Sequence, residues 1–520
     1  MILLQPEFNN FYLSLLLAIA LVILCYKRPN TSIYLFAGLG LLMLICMRLP
    51  VLMYNNQLNV DESQMVSNLR ALAKNPIYWQ SADGGTVGPA TYYSALVVTL
   101  FQESIDYRSI RLVGFILLIC NLLLFYRTSW MLFGKKAALQ ASVYLAIFFT
   151  FVIHADFLHY SSEQFPVFLL NIAIYIQAIM YVNKKSHGLY YFFLGLIVGI
   201  IPFAKLQAIP LIAVMAVFQL FQLRQKTWAQ SLIGGIVGVA TFPLLLLLFL
   251  NYFNLFEDFW TYYIEDNIIY TGTNKRAYGI INVVKLLGKS FDFFFYWIGI
   301  IGASMLIGKR KMKWLRNPIF IFIFGLLVAG LYAAVVTKNN FPHYLHFLVY
   351  PLGLLFAQAL SSQSEKNTRI VLLPFILFLG WTLVEEAYMS KISAHLKLMK
   401  TNAALSISPV SNYIKSRAKE GDKMSVWGWQ GKLYVEADVL QAVAENQTLH
   451  CMQESVLKQN HIHRYLQDLE RSQARFVIDA TQDDPGYLAP IEKVAAVNNY
   501  VLKNYTLDTT ISNNRIFIRK

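Results

Sequence analysis

The chain has 520 residues, of which 57% are hydrophobic, 15% aromatic and only 14% charged, with a formal net charge of +15. This composition excludes an ordinary soluble globular protein, because apolar runs long enough to cross a bilayer recur along the first three quarters. The positive charge is spread over short loops and forms no single face, which excludes a nucleic-acid-binding surface as its cause.

In chain order, the hydropathy pattern predicts about twelve spans, at 11–26, 32–53, 110–126, 138–153, 165–182, 189–203, 206–222, 231–250, 290–307, 318–336, 343–360 and 370–388. The two short runs, 189–203 and 206–222, also read as one broken helix pair around Lys205. Alternate connections carry Lys27 and Arg28; Arg127, Lys135 and Lys136; Lys184 and Lys185; Arg224 and Lys226; Lys309, Arg310, Lys311, Lys313 and Arg316; and Lys366 and Arg369. By the positive-inside rule these face the cytoplasm. Both termini and the long acidic loops then face outward from a cytoplasmic (inner) membrane. The N-terminus lacks a positive n-region and reads as the first anchor rather than a cleaved signal. Cys25, Cys46 and Cys120 fall inside spans and Cys451 stands alone, so no disulfide framework is expected.

The outer connections carry the chemistry. The first, about 54–109, opens on Asn59-Val60-Asp61-Glu62-Ser63. Paired carboxylates just outside a span suit a divalent metal, a cation or removal of a hydroxyl proton; two solvated loop acids are the plain alternative. Gly84-Gly85 and Gly88-Pro89 mark turns and do not form a P-loop, since no Lys-Ser/Thr follows. Thr91–Phe101 is too short to span and predicts an amphipathic helix at the interface. The second, 154–164, places Asp156, His159 and Glu163 on one stripe if helical, suiting a metal or sugar hydroxyls; a polar cap on two helix ends is the alternative. The third, about 251–289, mixes Trp260, Tyr262, Tyr263 and Tyr270 with Glu265, Asp266, Lys275 and Arg276, as an interface belt or a groove for a lipid chain or sugar ring. From about 390 the chain changes character. Ser425–Trp429, Arg475–Asp479 and Arg515–Arg519 predict strands, and 433–446 and 452–472 predict helices. The expected organisation is a membrane domain over 1–389 and a small outward α/β domain over 390–520.

The order of these features resembles the GT-C membrane glycosyltransferases, in their protein O-mannosyltransferase-like and lipid A aminoarabinose transferase-like branch. The match includes the acidic pair in the first long outer loop, the helix after a Gly-Pro turn, Arg108-Ser109-Ile110-Arg111-Leu112, and Leu132-Phe133-Gly134-Lys135-Lys136. It continues through Gly195-Leu196-Ile197-Val198-Gly199 to Lys205-Leu206-Gln207-Ala208, and ends at Asn340-Phe341-Pro342-His343-Tyr344. It covers about 32–360. Gly88 stands where relatives often carry a Lys, and the acidic loop follows the second span rather than the first.

The resemblance implies an α-helical polytopic fold and inverting transfer of a sugar from a polyprenyl-phosphate donor to a hydroxyl of a protein, lipid or glycan. In that scheme Asp61 is the general base and Glu62 positions the acceptor or a metal. Lys205, Arg276, His343 and Tyr344 hold the donor phosphate. Asp156, His159, Glu163 and Tyr92 meet the acceptor or sugar, and Asp61, Glu62 and Asp156 are the candidate ligands for Mg, Mn or Zn. The competing readings are a twelve-span transporter or lipid-linked sugar flippase, and a polysaccharide polymerase or ligase of another membrane fold.

Overall fold

The computed structural model describes residues 1–28, 32–102, 104–184, 188–222, 228–272, 280–308, 317–337, 339–362, 368–481 and 488–520. Arg276 lies outside them, as do the loop residues Lys185, Arg224, Lys226, Lys275, Lys309, Arg310, Lys311, Lys313, Arg316 and Lys366.

Helices run in the order α1 (Asn10–Lys27), α2 (Ile33–Met53), α3 (Val60–Lys74), α4 (Pro89–Ala95), α5 (Tyr107–Phe133), α6 (Lys135–Phe151), α7 (Ala155–Leu158), α8 (Gln164–Asn183), α9 (Gly188–Ile200), α10 (Ile209–Phe221) and α11 (Trp228–Phe253). After these come α12 (Phe256–Phe259), a π-helical stretch at Trp260–Glu265, α13 (Asp266–Gly272), α14 (Ile280–Gly288), α15 (Phe291–Gly308), α16 (Pro318–Val335), α17 (His346–Ser361), α18 (Thr368–Met389) and α19 (Lys391–Thr401). Each of the twelve predicted spans falls on a helix. Among the described residues eight helices are long and apolar enough to cross a membrane, and a ninth span arises if α14 and α15, bent by 119°, count as one. The difference from twelve lies in α6, at 17 residues, and in the short α9 and α10. The chain is a multi-pass membrane protein.

The chain divides into two compact units. The first comprises Met1–Tyr54, Gly114–Leu246 and Asn274–Ala403. Its core is aromatic: Tyr144 stacks on Tyr296 with ring centroids 5.3 Å apart, and Phe148 meets Tyr296, Phe157 and Phe378. The helical run Pro342–Ser361, which includes α17, is 89% buried, so it forms the bundle centre, whereas α11 is only 11% buried. Between α9 and α10 the helix breaks, as expected. Two 3-10 turns, Ile201–Phe203 and Leu206–Ala208, flank Lys205, which is extended. Pro202 and Pro210, which lack the N–H that a continuous helix needs, sit at the starts of the segments that follow each break.

The second unit comprises Asn55–Val113, Leu247–Thr273 and Ala404–Lys520. It holds α20 (Pro409–Arg417), α21 (Lys432–Ala437), α22 (Leu449–Met452), α23 (Lys458–Ser472) and α24 (Ala495–Asn504) around a five-stranded sheet. The strands are β1 (Lys423–Trp427), β2 (Leu440–Gln441), β3 (Phe476–Asp479), β4 (Tyr505–Ile511) and β5 (Asn514–Arg519), in the order β2-β1-β3-β5-β4. β1 pairs in parallel with β2 and β3, and β5 is antiparallel to β3 and β4. Alternate strand residues enter two cores. Trp427 and Val477 face one core, and Met424, Val426, Phe476 and Ile478 face the other, so the sheet centre is covered on both sides.

Three expectations change in detail. The helix predicted over 433–446 stops at Ala437, where Asp438 turns left-handed (φ 59°) and Leu440–Gln441 pairs with β1 instead. The helix predicted from 452 starts only at Lys458. Thr91–Phe101 is α4 followed by a 3-10 turn, Leu96–Leu100.

Candidate functional site

In the second unit, Asn59 caps α3: its side-chain oxygen accepts from the Asp61 N–H at 3.1 Å. Asp61 and Glu62 are the acids of the first turn, where the helix dipole favours negative charge. Their surroundings differ. Asp61 is half-buried. Glu62 is fully buried, and Arg111 grips it through two parallel bonds, Nε to Oε1 and Nη2 to Oε2, both 2.7 Å. Leu58 N–H also donates to Glu62 Oε2 at 3.0 Å, and Arg111 reaches the Asn56 carbonyl. Such a fork-on-fork pair fixes geometry as well as charge. Both Glu62 oxygens are engaged, and the clamp anchors the loop that presents Asp61.

Tyr92 is buried inside the same loop. Asn68 Nδ2 donates to its hydroxyl at 3.0 Å. A β-carbon at Gly84 would stand 2.5 Å from the Tyr92 ring, so only glycine lets this turn close over it. Asp83 pairs with Arg464 at 2.6 Å; Arg464 also donates to the Trp79 carbonyl and lies 4.1 Å from the Tyr262 ring centroid. Burial raises the Asp83 carboxyl, and the charge of Arg464 opposes that rise.

The same unit gathers a cluster that no sequence spacing indicates. Asp266, the first residue after the π stretch, joins His450 and His461, with donor atoms all within 4.8 Å of one another. Glu445 sits beside both imidazoles, 2.7 Å from His450 Nδ1 and 2.9 Å from His461 Nδ1. Asp266 lies 3.7 Å from His461 Nε2 and 3.6 Å from His450 Nδ1. Burial acts against the charge on His461, but Glu445 and Asp266 raise it to about 10. Burial pushes Glu445 up, and the two imidazoles hold it well below the usual carboxylate range. Two imidazoles and a carboxylate are a zinc-type donor set. Glu445 on the far nitrogen of His461 is the outer-shell carboxylate that fixes a metal-binding imidazole.

In the first unit, residues 155–163 are not one helix. α7 ends at Leu158 and His159 is extended. The stripe predicted for Asp156, His159 and Glu163 is therefore absent, yet the tertiary fold gathers these residues with others into a buried polar network. Asp156 Oδ2 accepts from the His343 N–H at 3.0 Å and lies 3.3 Å from His343 Nδ1, thereby holding the 3-10 turn Pro342–Leu345. His159 Nε2 stands 3.9 Å from Asp156 Oδ1, and the His346 ring approaches the Asp156 carbonyl at 3.3 Å. Burial raises Asp156, but His343, then His159 and His154, hold it well below the usual range.

Lys205, only 3% exposed, donates to Ser162 Oγ at 2.9 Å and stands 3.1 Å from Glu163 Oε1, with its Nζ 5.9 Å from the Tyr344 ring centroid. Burial raises Glu163 and the ammonium of Lys205 leads the opposing charges, leaving it at about 2. Lys205 is a paired, buried cation rather than a surface lysine reaching for water. Arg48 on α2 was not anticipated. It is buried and donates to the carbonyls of Phe149 and Phe157, closing the end of α6 and the turn after it. Of the metal ligands expected, Asp61 and Glu62 lie in one unit and Asp156 in the other. The grouping of three donors among the described residues is Asp266, His450 and His461.

No protein-family model and no curated protein matches the sequence. Among solved structures, apo ArnT from Cupriavidus metallidurans aligns over 92% of this chain and 97% of its own, with a TM-score of 0.58 at 12% identity. The same protein bound to undecaprenyl phosphate aligns over 93% and 97%, with a TM-score of 0.59 at 11% identity. The chain has the GT-C fold of that transferase.

Proposed function

We propose, with the shared GT-C fold as premise, that the chain is an inverting membrane glycosyltransferase. It moves a sugar from a polyprenyl-phosphate donor to an acceptor hydroxyl on the outer side of the cytoplasmic membrane. One observation carries the reading: the likeness spans nearly the whole length of ArnT, which has been solved with undecaprenyl phosphate. The outward orientation rests on the basic loops.

Roles follow from local geometry. Asp61 is the general base, accepting the proton as the acceptor oxygen attacks the anomeric carbon and the lipid phosphate departs. Glu62 and Arg111 hold Asp61's turn in place. Lys205 stabilises the departing phosphate. Ser162 and Glu163 take two of the three ammonium donors, and the third is the one offered to an anion. Asp156 sets the backbone around His343 and Tyr344. Asp266, His450 and His461, with Glu445 orienting the His461 ring, would hold a zinc-type ion, which when bound supplies a fixed positive charge and ties three chain segments together.

Transfer from a radiolabelled polyprenyl-phosphate sugar tests the reading. Asp61→Asn keeps shape but cannot take the proton, so activity should fall on the order of a hundred- to ten-thousandfold, with thermal midpoint near wild type. Full activity in that variant would remove Asp61 from the mechanism. Elemental analysis should find one equivalent of zinc in the wild type and little in His461→Ala; no metal in either would discard the ion.

A further inference from the structure

A pocket of about 480 Å³ in the second unit is used by none of these roles. It falls within the roughly 300–1,000 Å³ of small-molecule sites and holds far more than one water. One wall is a single face of α23, where Arg464, Gln467, Asp468 and Arg471 stand at i, i+3, i+4 and i+7. Leu255 and Asp258, at the start of α12, and the Trp79-Gln80 turn complete the lining. Gln467 and Glu470 are exposed, so the pocket opens to solvent.

Most of its charges are already engaged. Asp468 accepts from the Ala444 N–H at 2.8 Å and from Arg471 at 2.6 Å, and Glu470 accepts from the Tyr500 hydroxyl at 2.7 Å. Arg464 is fixed on two edges and one face. Its Nη1 donates to Asp83 and its Nη2 to the Trp79 carbonyl, and its guanidinium stacks 4.1 Å from the Tyr262 ring centroid. Trp79 takes a left-handed backbone (φ 66°), uncommon for a bulky residue, and Tyr262 is tied through its hydroxyl to the Asn460 carbonyl at 3.1 Å. The Nε–H of Arg464 is left over. Asp258 Oδ1 stands 4.0 Å from it, beyond hydrogen-bond reach, and among the described residues the Asp258 carboxylate accepts no hydrogen bond. Both groups are reachable from the pocket: the Asp258 side chain is 32% exposed and that of Arg464 7%, and neither Nε nor the Asp258 oxygens are sealed from solvent.

A fixed donor and a free acceptor 4.0 Å apart suit a group that is both acceptor and donor. A hydroxyl does this with one atom, accepting from Nε–H and donating to the carboxylate. A peptide N–H or C=O does only one of the two. An ammonium group is repelled by Arg464, and an anion by Asp258. We propose that this pocket binds a saccharide, one hydroxyl of which bridges Arg464 and Asp258, with Leu255 against the C–H face of the sugar ring and Gln467 at the rim on a further hydroxyl. That this sugar belongs to the acceptor, making the acceptor a glycan or a glycolipid head group, rests on the transfer reading above. Saccharide binding itself does not depend on it.

A binding screen tests this. The full chain in nanodiscs, free of sugar-based detergent and of any lipid-linked donor, is applied to an array of neutral and acidic oligosaccharides, and the Kd of the best-bound one is measured by titration. A neutral oligosaccharide should bind. Asp258→Ala removes one charge-assisted hydrogen bond and should weaken binding roughly ten- to a hundredfold. Asp258→Asn keeps an acceptor and should weaken it less. Gln467→Trp, at the exposed rim, fills the mouth and should abolish binding; it keeps the test valid if Asp258→Ala misfolds. Asp61→Asn, inactive in transfer, should bind as the wild type does. Glycan binding by a wild type that transfers no sugar would leave this site standing and remove only the transferase reading. Failure of every oligosaccharide to bind would overturn the proposal, as would equal affinity in wild type, Asp258→Ala and Gln467→Trp. Binding of an unglycosylated peptide that the same variants abolish would also overturn it, assigning the pocket to a protein acceptor.

Discussion

Asp61 and Glu62 are adjacent on one helical turn, and their neighbours give them opposite tasks. Glu62 is saturated by Arg111 and the Leu58 N–H, whereas Asp61 sits half-buried on the first turn. Removing one member of a buried ion pair leaves the other uncompensated, at about 3–5 kcal/mol. Glu62→Gln should therefore lower the thermal midpoint in detergent sharply, and Glu62→Gln/Arg111→Met should recover part of the loss. Asp61→Asn, which keeps the size and hydrogen-bonding shape of a half-buried side chain, should lower the midpoint much less than Glu62→Gln. Equal midpoints for the two single variants would mean that Glu62 does not anchor the loop.

At the scale of elements, the break between α9 and α10 is held by Lys205, whose partners Ser162 and Glu163 precede α8. Glu163 has a folded value of about 2 against an ordinary 4.5, so its folded-state pKa is depressed. Its contribution to stability is complete above about pH 4.5 and is lost as pH falls toward 2. Thermal melts in detergent should show a loss across that window, and Glu163→Gln should flatten that part of the curve. An unchanged slope would mean that the pair does not form. The neighbouring α9–α11 contact relies on glycine instead. A β-carbon at Gly238 would lie 2.1 Å from the Phe192 carbonyl and one at Gly195 2.3 Å from the Gly235 carbonyl, so the two backbones touch directly.

At the scale of the whole molecule, the prediction is topological. Cysteines introduced at the exposed Glu454 and Lys74 should react with a membrane-impermeant thiol reagent on intact spheroplasts. One at Lys184 should react only after the membrane is opened. Labelling of Lys184 with silence at Glu454 would invert the orientation and remove the outward-facing transfer reaction.

Much of this organisation is readable along the chain, for a local reason: spans, breaks and strands depend on residues that are close in sequence. Long runs of apolar residues give the helices, Pro202 and Pro210 give the break at Lys205, and short apolar runs buried on both faces give β1, β3 and β5. The acidic pair stands out because charges are rare beside a span. Partnerships are a different matter, since they join residues far apart and leave no spacing to detect. Arg111 closes on Glu62 from 49 residues away, and Asp266 meets His450 and His461 from nearly 200. Asp156, His159 and Glu163 share one face only if their segment is a single helix, but they belong to α7, an extended residue after it and the residue preceding α8. Likewise β2 replaces a predicted helix because β1 offers it backbone hydrogen bonds, which local propensity cannot register. The sequence alone determined the membrane class and the apolar helices, and it singled out the acidic pair. Only the tertiary structure decided which charges are paired, since burial and pairing are properties of three-dimensional neighbours.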